Sequence, residues 1–168
     1  GIAVMKYSQF LGVVMAHSEG VAISGTHGKS PTTAWLTYVL RQAGLDPTFV
    51  IGADVEQLGG AGSGVGDGPH FVAESCEFDR SFLNLAPRYA AILNIEEDHL
   101  DYYKDIHEIV GAFAEFARLA PADGLVVING EDANCRKVAE ASVANVETFG
   151  LSEGVTWRAV GLALQNGR

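Results

Sequence analysis

Residues 21–35 read VAISGTHGKSPTTAW, an apolar run that enters a turn with two glycines, a lysine and a hydroxyl before a helical pattern begins. Gly25 and Gly28 allow the backbone to turn its N–H groups inward. Lys29 supplies a positive charge, and Ser30 offers a hydroxyl to Mg²⁺. The helix that follows would add the positive end of its dipole. The stretch therefore predicts a strand, a phosphate-binding loop and a helix in succession.

One position departs from the strict Walker pattern, and a proline follows the last residue of that pattern. That pattern requires glycine at position 23, where this chain has Ile23, so a glycine turn with a solvated lysine is the alternative interpretation. Lys29 is one of only four lysines and falls at the functional position, which favours phosphate binding. Pro31 is tolerated in a first helical turn, but we expect it to push Ser30 away from the helical region and to remove one N–H donor.

The composition indicates one globular domain and argues against several classes of partner. The chain has 168 residues, is 48% hydrophobic and carries a net charge of −10 without a basic run, which argues against binding nucleic acid or anionic membranes. No apolar run approaches the roughly 20 residues that a membrane helix needs, and no export signal is present, so we expect a cytoplasmic protein. Cys76 and Cys135 share no motif spacing and are interpreted as buried, reduced thiols. The first residue is Gly rather than Met, which suggests a piece of a longer protein.

Strand and helix patterns alternate along the chain and predict an α/β fold with a mainly parallel sheet flanked by helices. The glycine-rich residues 59–68 are interpreted as a flexible surface loop rather than a second phosphate loop. Trp35 and Phe113 are expected in the core. The predicted strands are residues 21–24, 48–51, 71–74, 90–95, 125–129, 146–149 and 155–162. The predicted helices are residues 7–15, 32–43, 106–119 and 132–142.

Three ordered motifs carry a resemblance that spans nearly the whole chain. They are GTHGKS at residues 25–30, AESCEFDRSFLNLAP at residues 73–87 and AAILNIEEDHLDYY at residues 90–103. In this order they resemble the Mur ligases, the ATP-dependent enzymes of peptidoglycan precursor synthesis. His27 favours either the branch that joins L-alanine to UDP-N-acetylmuramate or the related murein-peptide-recycling branch. The stretches SFLNLAP and HLDYY favour the former. Pro31, Cys76, Phe78 and Arg80 stand where that branch usually has a threonine, an acid, a serine and a glycine.

The resemblance implies a fold, a reaction and partners. Residues 1–168 would be the central, P-loop NTPase-like, ATP-binding domain, a fragment without the N-terminal domain for the UDP-sugar and without the C-terminal domain. ATP would phosphorylate a carboxylate, and the amine of L-alanine would attack the resulting acyl phosphate. ATP and Mg²⁺ are the implied cofactors. Flanking domains of the same full-length chain are the implied partners.

The resemblance also implies roles for particular residues. Lys29 would hold the β- and γ-phosphates, Ser30 and Glu74 would hold one Mg²⁺, and His99 would help to place a second metal ion. A hydrogen-bonded histidine at a strand end is the alternative for His99. Asn94 and Asp98 are expected to shape their loop, whereas Glu77 and Asp79 are either site acids or part of a solvated turn. The predicted nucleotide-binding residues are Gly25, Thr26, His27, Gly28, Lys29 and Ser30, and the predicted catalytic residues are Lys29, Glu74 and His99.

Three classes of function follow. The first is the alanine-adding ligase. The second is another ligase of the superfamily, of the murein-peptide-recycling type or the folylpolyglutamate or cyanophycin type. The third is a nucleotide-binding module without ligase activity.

Overall fold

The computed structural model describes residues 4–163, which form one eight-stranded sheet with helices on both faces. The strands are β1 (Glu19–Ser24), β2 (Thr48–Val55), β3 (Ala61–Gly64), β4 (His70–Glu74), β5 (Tyr89–Ile92), β6 (Leu125–Asn129), β7 (Asn145–Gly150) and β8 (Trp157–Arg158). The helices are α1 (Tyr7–Met15), α2 (Lys29–Gln42), α3 (Ile106–Ala117) and α4 (Ala133–Ala139). Short 3-10 segments cover Glu56–Leu58 and Phe78–Asn84.

The strand order is β3-β2-β4-β1-β5-β6-β7-β8. Within residues 4–163 every strand pairing is parallel except that of β2 with β3, which is antiparallel. Parallel strands joined through helices produce a sheet that is covered on both faces. The predicted fold class, a mainly parallel sheet flanked by helices, is confirmed.

The two faces of the sheet have separate apolar cores. The larger core contains Phe113 and Phe116 of α3, and Phe82 stacks on Phe116 with ring centroids 4.8 Å apart. The smaller core lies under α2 and includes Phe49 and Val72. Phe113 is therefore a core residue as expected, but Trp35 is 72% exposed on the outer side of α2, so its prediction as a core residue is wrong.

Local capping explains where the helices of the second half begin. Asp105 precedes α3, and its side chain accepts a hydrogen bond from the Glu108 N–H at 3.0 Å. Asp132 precedes α4 and accepts from the N–H groups of Asn134 and Cys135. Aspartate is a preferred N-cap because its carboxylate satisfies N–H groups that lack an intrahelical partner. Both helices end sooner than their apolar patterns predict.

Helix α2 begins earlier than predicted. It starts at Lys29, three residues before the predicted start, and Pro31 lies in its first turn. The first backbone bond of the helix runs from the Thr32 N–H to the Gly28 carbonyl at 3.1 Å. The missing N–H of Pro31 therefore removes no helical hydrogen bond. The expectation that Pro31 moves Ser30 out of the helix is wrong.

Tertiary pairing overrides composition elsewhere in the chain. Residues 61–64 of the glycine-rich stretch form β3, so the interpretation of residues 59–68 as a flexible loop is wrong for these four residues. Strand β5 ends at Ile92 rather than at residue 95, and the final strand covers only Trp157–Arg158.

Cys76 is exposed, whereas Cys135 is buried, so only one of the two thiols is buried as expected. No helix within residues 4–163 is long and apolar enough to cross a membrane.

A pair of glycine substitutions tests the packing of α1. A Cβ atom at Gly12 would lie 1.9 Å from the Asn84 carbonyl oxygen, whereas one at Gly111 in α3 would meet nothing within 4 Å. We expect Gly12→Ala to lower the free energy of unfolding by about 1–3 kcal/mol because the backbone must move. Gly111→Ala is the matched control and should raise it by about 0.5–1 kcal/mol. Urea unfolding of both variants measures the difference, and equal effects would contradict the packing of α1 against Phe78–Asn84.

Candidate functional site

The strand order brings the three sequence motifs to one edge of the sheet. Strand β1 lies between β4 and β5. The loop at residues 25–30, called here the phosphate loop, follows β1, and Glu74 ends β4. Residues 94–99, called here the histidine segment, follow β5. Since parallel strands place their carboxyl ends on the same edge, all three lie where open α/β sheets bind ligands.

The phosphate loop needs glycine at two positions. Gly25 has φ 145°, and a Cβ there would lie 3.0 Å from the Leu93 side chain. Gly28 has φ 83° and is the N-cap of α2. Residues other than glycine rarely adopt either backbone conformation. The loop leads into the N-terminus of a fourteen-residue helix, where free N–H groups and the helix dipole favour binding of an anion.

The histidine segment fixes the backbone of the phosphate loop. The Asn94 side chain accepts from the His27 N–H at 2.7 Å and donates to the His27 carbonyl at 3.0 Å. The Thr26 N–H donates to the Asn94 carbonyl at 3.0 Å, and the Thr26 hydroxyl accepts from the Glu96 N–H at 2.9 Å. The Asn94 amide thus pairs with His27 as a strand backbone would. Asn94 was predicted to shape its own loop, and these bonds show that it also contacts the phosphate loop.

Lys29 forms a nearly buried ion pair. Its ammonium group lies 3.0 and 3.2 Å from the two carboxylate oxygens of Glu77, and it donates to the carbonyls of Gly25 at 2.7 Å and Thr26 at 3.1 Å. The side chain of Lys29 is 14% exposed and that of Glu77 is 2% exposed. Burying either charge without the other would be strongly unfavourable, so each holds the other in the site.

Ser30 and Glu74 are in direct contact. The Ser30 hydroxyl donates to one carboxylate oxygen of Glu74 at 3.0 Å, and the Gly52 N–H donates to the other at 2.7 Å. A hydroxyl and a carboxylate side by side at a helix N-terminus are oxygen ligands of the kind that Mg²⁺ takes beside phosphates. The structure therefore places together the first pair of residues that the sequence predicts as metal ligands.

His99 lies beside Glu77 rather than in the Ser30–Glu74 contact. Its Nε2 is 3.8 Å from a Glu77 carboxylate oxygen and 3.9 Å from an Asp98 carboxylate oxygen. One ligand-capable atom from each of these three residues lies within 4.8 Å of the other two. His99 has φ 52°, and its ring packs at 5.1 Å from that of Phe78. The site thus has two groups of potential metal ligands, with Glu77 next to both Lys29 and His99.

The sequence does not determine whether Glu77 and Asp79 belong to the site. The structure shows that the two side chains have different partners. Asp79 forms a surface ion pair with Lys6 at 2.7 Å. Glu77 points inward, and its backbone carbonyl accepts a hydrogen bond from the Tyr103 hydroxyl at 2.5 Å. Burial raises the pKa of Tyr103 to about 12, so at neutral pH this hydroxyl stays protonated and can donate. Two acids of one turn therefore have different surroundings, which their spacing alone does not reveal.

The unusual Arg80 has a structural explanation. Asp79 and Arg80 both have positive φ, 52° and 51°, a conformation that glycine adopts most easily. The Arg80 guanidinium forms ion pairs with Glu108 at 3.2 Å and Glu115 at 3.1 Å, both on α3. These pairs hold the turn against the helix and compensate in part for the strained backbone.

Comparison with known proteins identifies the family. Residues 23–167 match the model of the Mur ligase middle domain. The chain is 49% identical over 153 residues to the UDP-N-acetylmuramate–L-alanine ligase of Desulfitobacterium hafniense (strain Y51), covering 90% of this chain and 33% of that protein. It is 43% identical over 168 residues to the enzyme of the same name from Clostridium novyi (strain NT), covering 99% of this chain and 36% of that protein. The chain thus spans about a third of the length of these relatives.

A solved structure of a ligase with a related name has a similar fold. The UDP-N-acetylmuramate:L-alanyl-γ-D-glutamyl-meso-diaminopimelate ligase from Neisseria meningitides matches with a TM-score of 0.79 and 32% identity, covering 85% of this chain and 49% of that one. The family match, which includes the phosphate loop, Glu74 and His99, agrees with the resemblance that the sequence motifs carry. The chain belongs to the Mur ligase family, through its middle domain.

Proposed function

We propose that this chain is the ATP-binding middle domain of a longer cytoplasmic ligase, which joins L-alanine to UDP-N-acetylmuramate in peptidoglycan precursor synthesis. The observation that carries this proposal is the phosphate loop with Lys29 and Ser30 beside the Glu74 carboxylate, in a chain 49% identical to a relative of that name. Flanking domains would supply the binding sites for the UDP-sugar and the amino acid, since the chain spans about a third of its relatives.

The proposed reaction has two steps. The terminal phosphoryl group of ATP passes to the muramate carboxylate, which breaks the bond to ADP and forms an acyl phosphate. The amine of L-alanine then attacks the acyl carbon, expels inorganic phosphate and loses a proton, so that an amide remains. Both steps place negative charge on phosphate oxygens. The main task of the protein is therefore to align the reacting groups and to stabilise that charge.

The residues of this chain have roles that follow from their positions. Lys29 would bind the transferred phosphate, and the backbone N–H groups of Gly28, Lys29 and Ser30 would hold the neighbouring one. Asn94 keeps this loop in shape through its two bonds to His27. The N-terminus of α2 adds its dipole to the same place.

The side chains present also fit divalent cations. Ser30 and Glu74 offer one set of oxygen ligands, and Glu77, Asp98 and His99 offer a second set of oxygen and nitrogen ligands. Hard oxygen donors beside a phosphate site suit Mg²⁺. When bound, this ion would neutralise phosphate charge.

Release of inorganic phosphate tests this proposal. The full-length protein should release phosphate from ATP only when both UDP-N-acetylmuramate and L-alanine are present, and the product should carry a new amide. A second arm replaces L-alanine with the tripeptide L-alanyl-γ-D-glutamyl-meso-diaminopimelate, because the matched solved structure bears the name of that ligase. Faster turnover with the tripeptide would favour the recycling ligase. Tight ATP binding without turnover of either acceptor would favour a folylpolyglutamate- or cyanophycin-type ligase or a non-catalytic module.

A further inference from the structure

The Glu77 carboxylate lies between the Lys29 ammonium group and the His99 imidazole. It is 3.0 Å from the Lys29 ammonium nitrogen on one side and 3.8 Å from the His99 Nε2 on the other. The side chain is only 2% exposed, so water cannot compensate its charge. One buried carboxylate is therefore shared by the phosphate-binding lysine and by the histidine of the second group of ligands.

Lys29 has no free hydrogen-bonding capacity in this arrangement. An ammonium group has three donors, and the partners of Lys29 are the Gly25 carbonyl, the Thr26 carbonyl and the Glu77 carboxylate. A phosphate oxygen that binds Lys29 must replace one of them. The two carbonyls belong to the loop itself, three and four residues before Lys29. Glu77 comes from another segment, and its negative charge would repel the incoming phosphate, so Glu77 is the partner that leaves.

The backbone of Glu77 can stay in place while its side chain moves. The Glu77 carbonyl accepts hydrogen bonds from the Tyr103 hydroxyl at 2.5 Å and from the Arg80 N–H at 3.0 Å. Tyr103 is itself buried. A rotation about side-chain bonds is thus the motion available to the carboxylate, and one ligand-capable atom each of Asp98 and His99 already lies within 4.8 Å of one of its oxygens.

We propose that Glu77 exchanges partners when nucleotide binds: it neutralises Lys29 in the nucleotide-free protein, and it becomes a ligand of a divalent cation with His99 once a phosphate group occupies Lys29. This inference rests on the proposed function, because it requires that the phosphate loop bind ATP. It gives Glu77 opposite effects on two measurable affinities. In the absence of metal Glu77 competes with the nucleotide, whereas in its presence Glu77 supports binding.

The first experiment measures binding of the ATP analogue AMP-PNP to the full-length protein by calorimetry. In EDTA, Glu77→Gln should bind AMP-PNP about tenfold more tightly than wild type, as expected for removal of one charged competitor. The factor by which saturating Mn²⁺ tightens AMP-PNP binding should fall about tenfold in the same variant. Asp79→Asn is the matched control, because it removes the same charge from the same turn while, within residues 4–163, Asp79 forms an ion pair only with Lys6. Its two affinities should stay within about twofold of wild type.

The converse experiment uses the lysine and needs no nucleotide. Lys29→Gln should bind Mn²⁺ about tenfold more tightly than wild type in electron paramagnetic resonance titrations, because Glu77 is then free to act as a ligand. Lys6→Gln is its matched control and should not change the Mn²⁺ affinity. This variant also keeps the inference testable if Glu77→Gln does not fold.

The outcomes separate the inference from the proposed function. Unchanged or weaker AMP-PNP binding by Glu77→Gln in EDTA, or an equal gain in Asp79→Asn, would overturn the exchange while leaving ATP binding intact. Equal Mn²⁺ affinity of Lys29→Gln and Lys6→Gln would overturn it as well. Failure of the wild-type protein to bind AMP-PNP under any condition would instead overturn the proposed function, and the exchange with it.

Discussion

Glu74→Gln in the full-length protein is expected to lower ligase turnover by about 10²–10³-fold, the usual cost of losing one electrostatic contact to a transition state. Glu74 accepts from Ser30 and Gly52 with its two oxygens, so glutamine keeps one acceptor and the shape of the side chain. The free energy of unfolding should therefore change by only about 1 kcal/mol. Initial rates of phosphate release at saturating ATP, together with urea unfolding, measure both quantities.

A carboxylate at the amino-terminal end of β1 is the control for this variant. Glu19 begins β1 and pairs with Arg88 at 3.1 Å, far along the strand from the phosphate loop. Glu19→Gln removes the same charge from the same sheet and should leave turnover within about twofold of wild type. If Glu74→Gln keeps wild-type turnover at saturating Mg²⁺, Glu74 does not contribute to catalysis as a metal ligand.

The second large effect is expected for His99. Its backbone has φ 52°, a region that asparagine tolerates better than most residues, so His99→Asn removes the imidazole with little added strain. We expect kcat to fall about 10²-fold because the nitrogen ligand beside Glu77 is lost. The KM for ATP should change much less, since His99 makes no bond to the phosphate loop among the contacts of the described residues.

His107→Asn provides the comparison for that measurement. His107 lies exposed on α3, and the same change of side chain there should leave kcat unaltered. A His99→Asn variant with wild-type kcat would support the alternative interpretation of His99 as a hydrogen-bonded histidine at a strand end.

The elements that the sequence predicted well are those with strong local patterns. The apolar run before Gly25 and the periodic residues of α3 each favour their own conformation, and β1, β4, β6 and the start of α3 lie where the patterns indicate. Helix α2 starts at Lys29, earlier than predicted, because Pro31 in the first turn costs no helical hydrogen bond, and this outweighs the extended preference of the residue before proline.

The remaining features depend on contacts between residues that are distant in the sequence, so local patterns do not predict them. Strand β3 forms from four small residues because β2 offers an antiparallel edge to pair with. Trp35 occupies the outer side of α2, so its hydrophobicity did not predict its burial. The inward direction of Glu77 depends on Lys29 approaching from the loop after β1, 48 residues earlier in the chain.

The six residues of the histidine segment join two tasks in one short piece of chain. Asn94 at its start sets the shape of the loop that would receive a phosphate, and His99 at its end belongs to the second group of potential metal ligands. Six residues span at most about 20 Å even when fully extended, so the chain itself keeps the two ends of this segment near each other. The phosphate loop and the second group of metal ligands therefore depend on the same short segment for their positions.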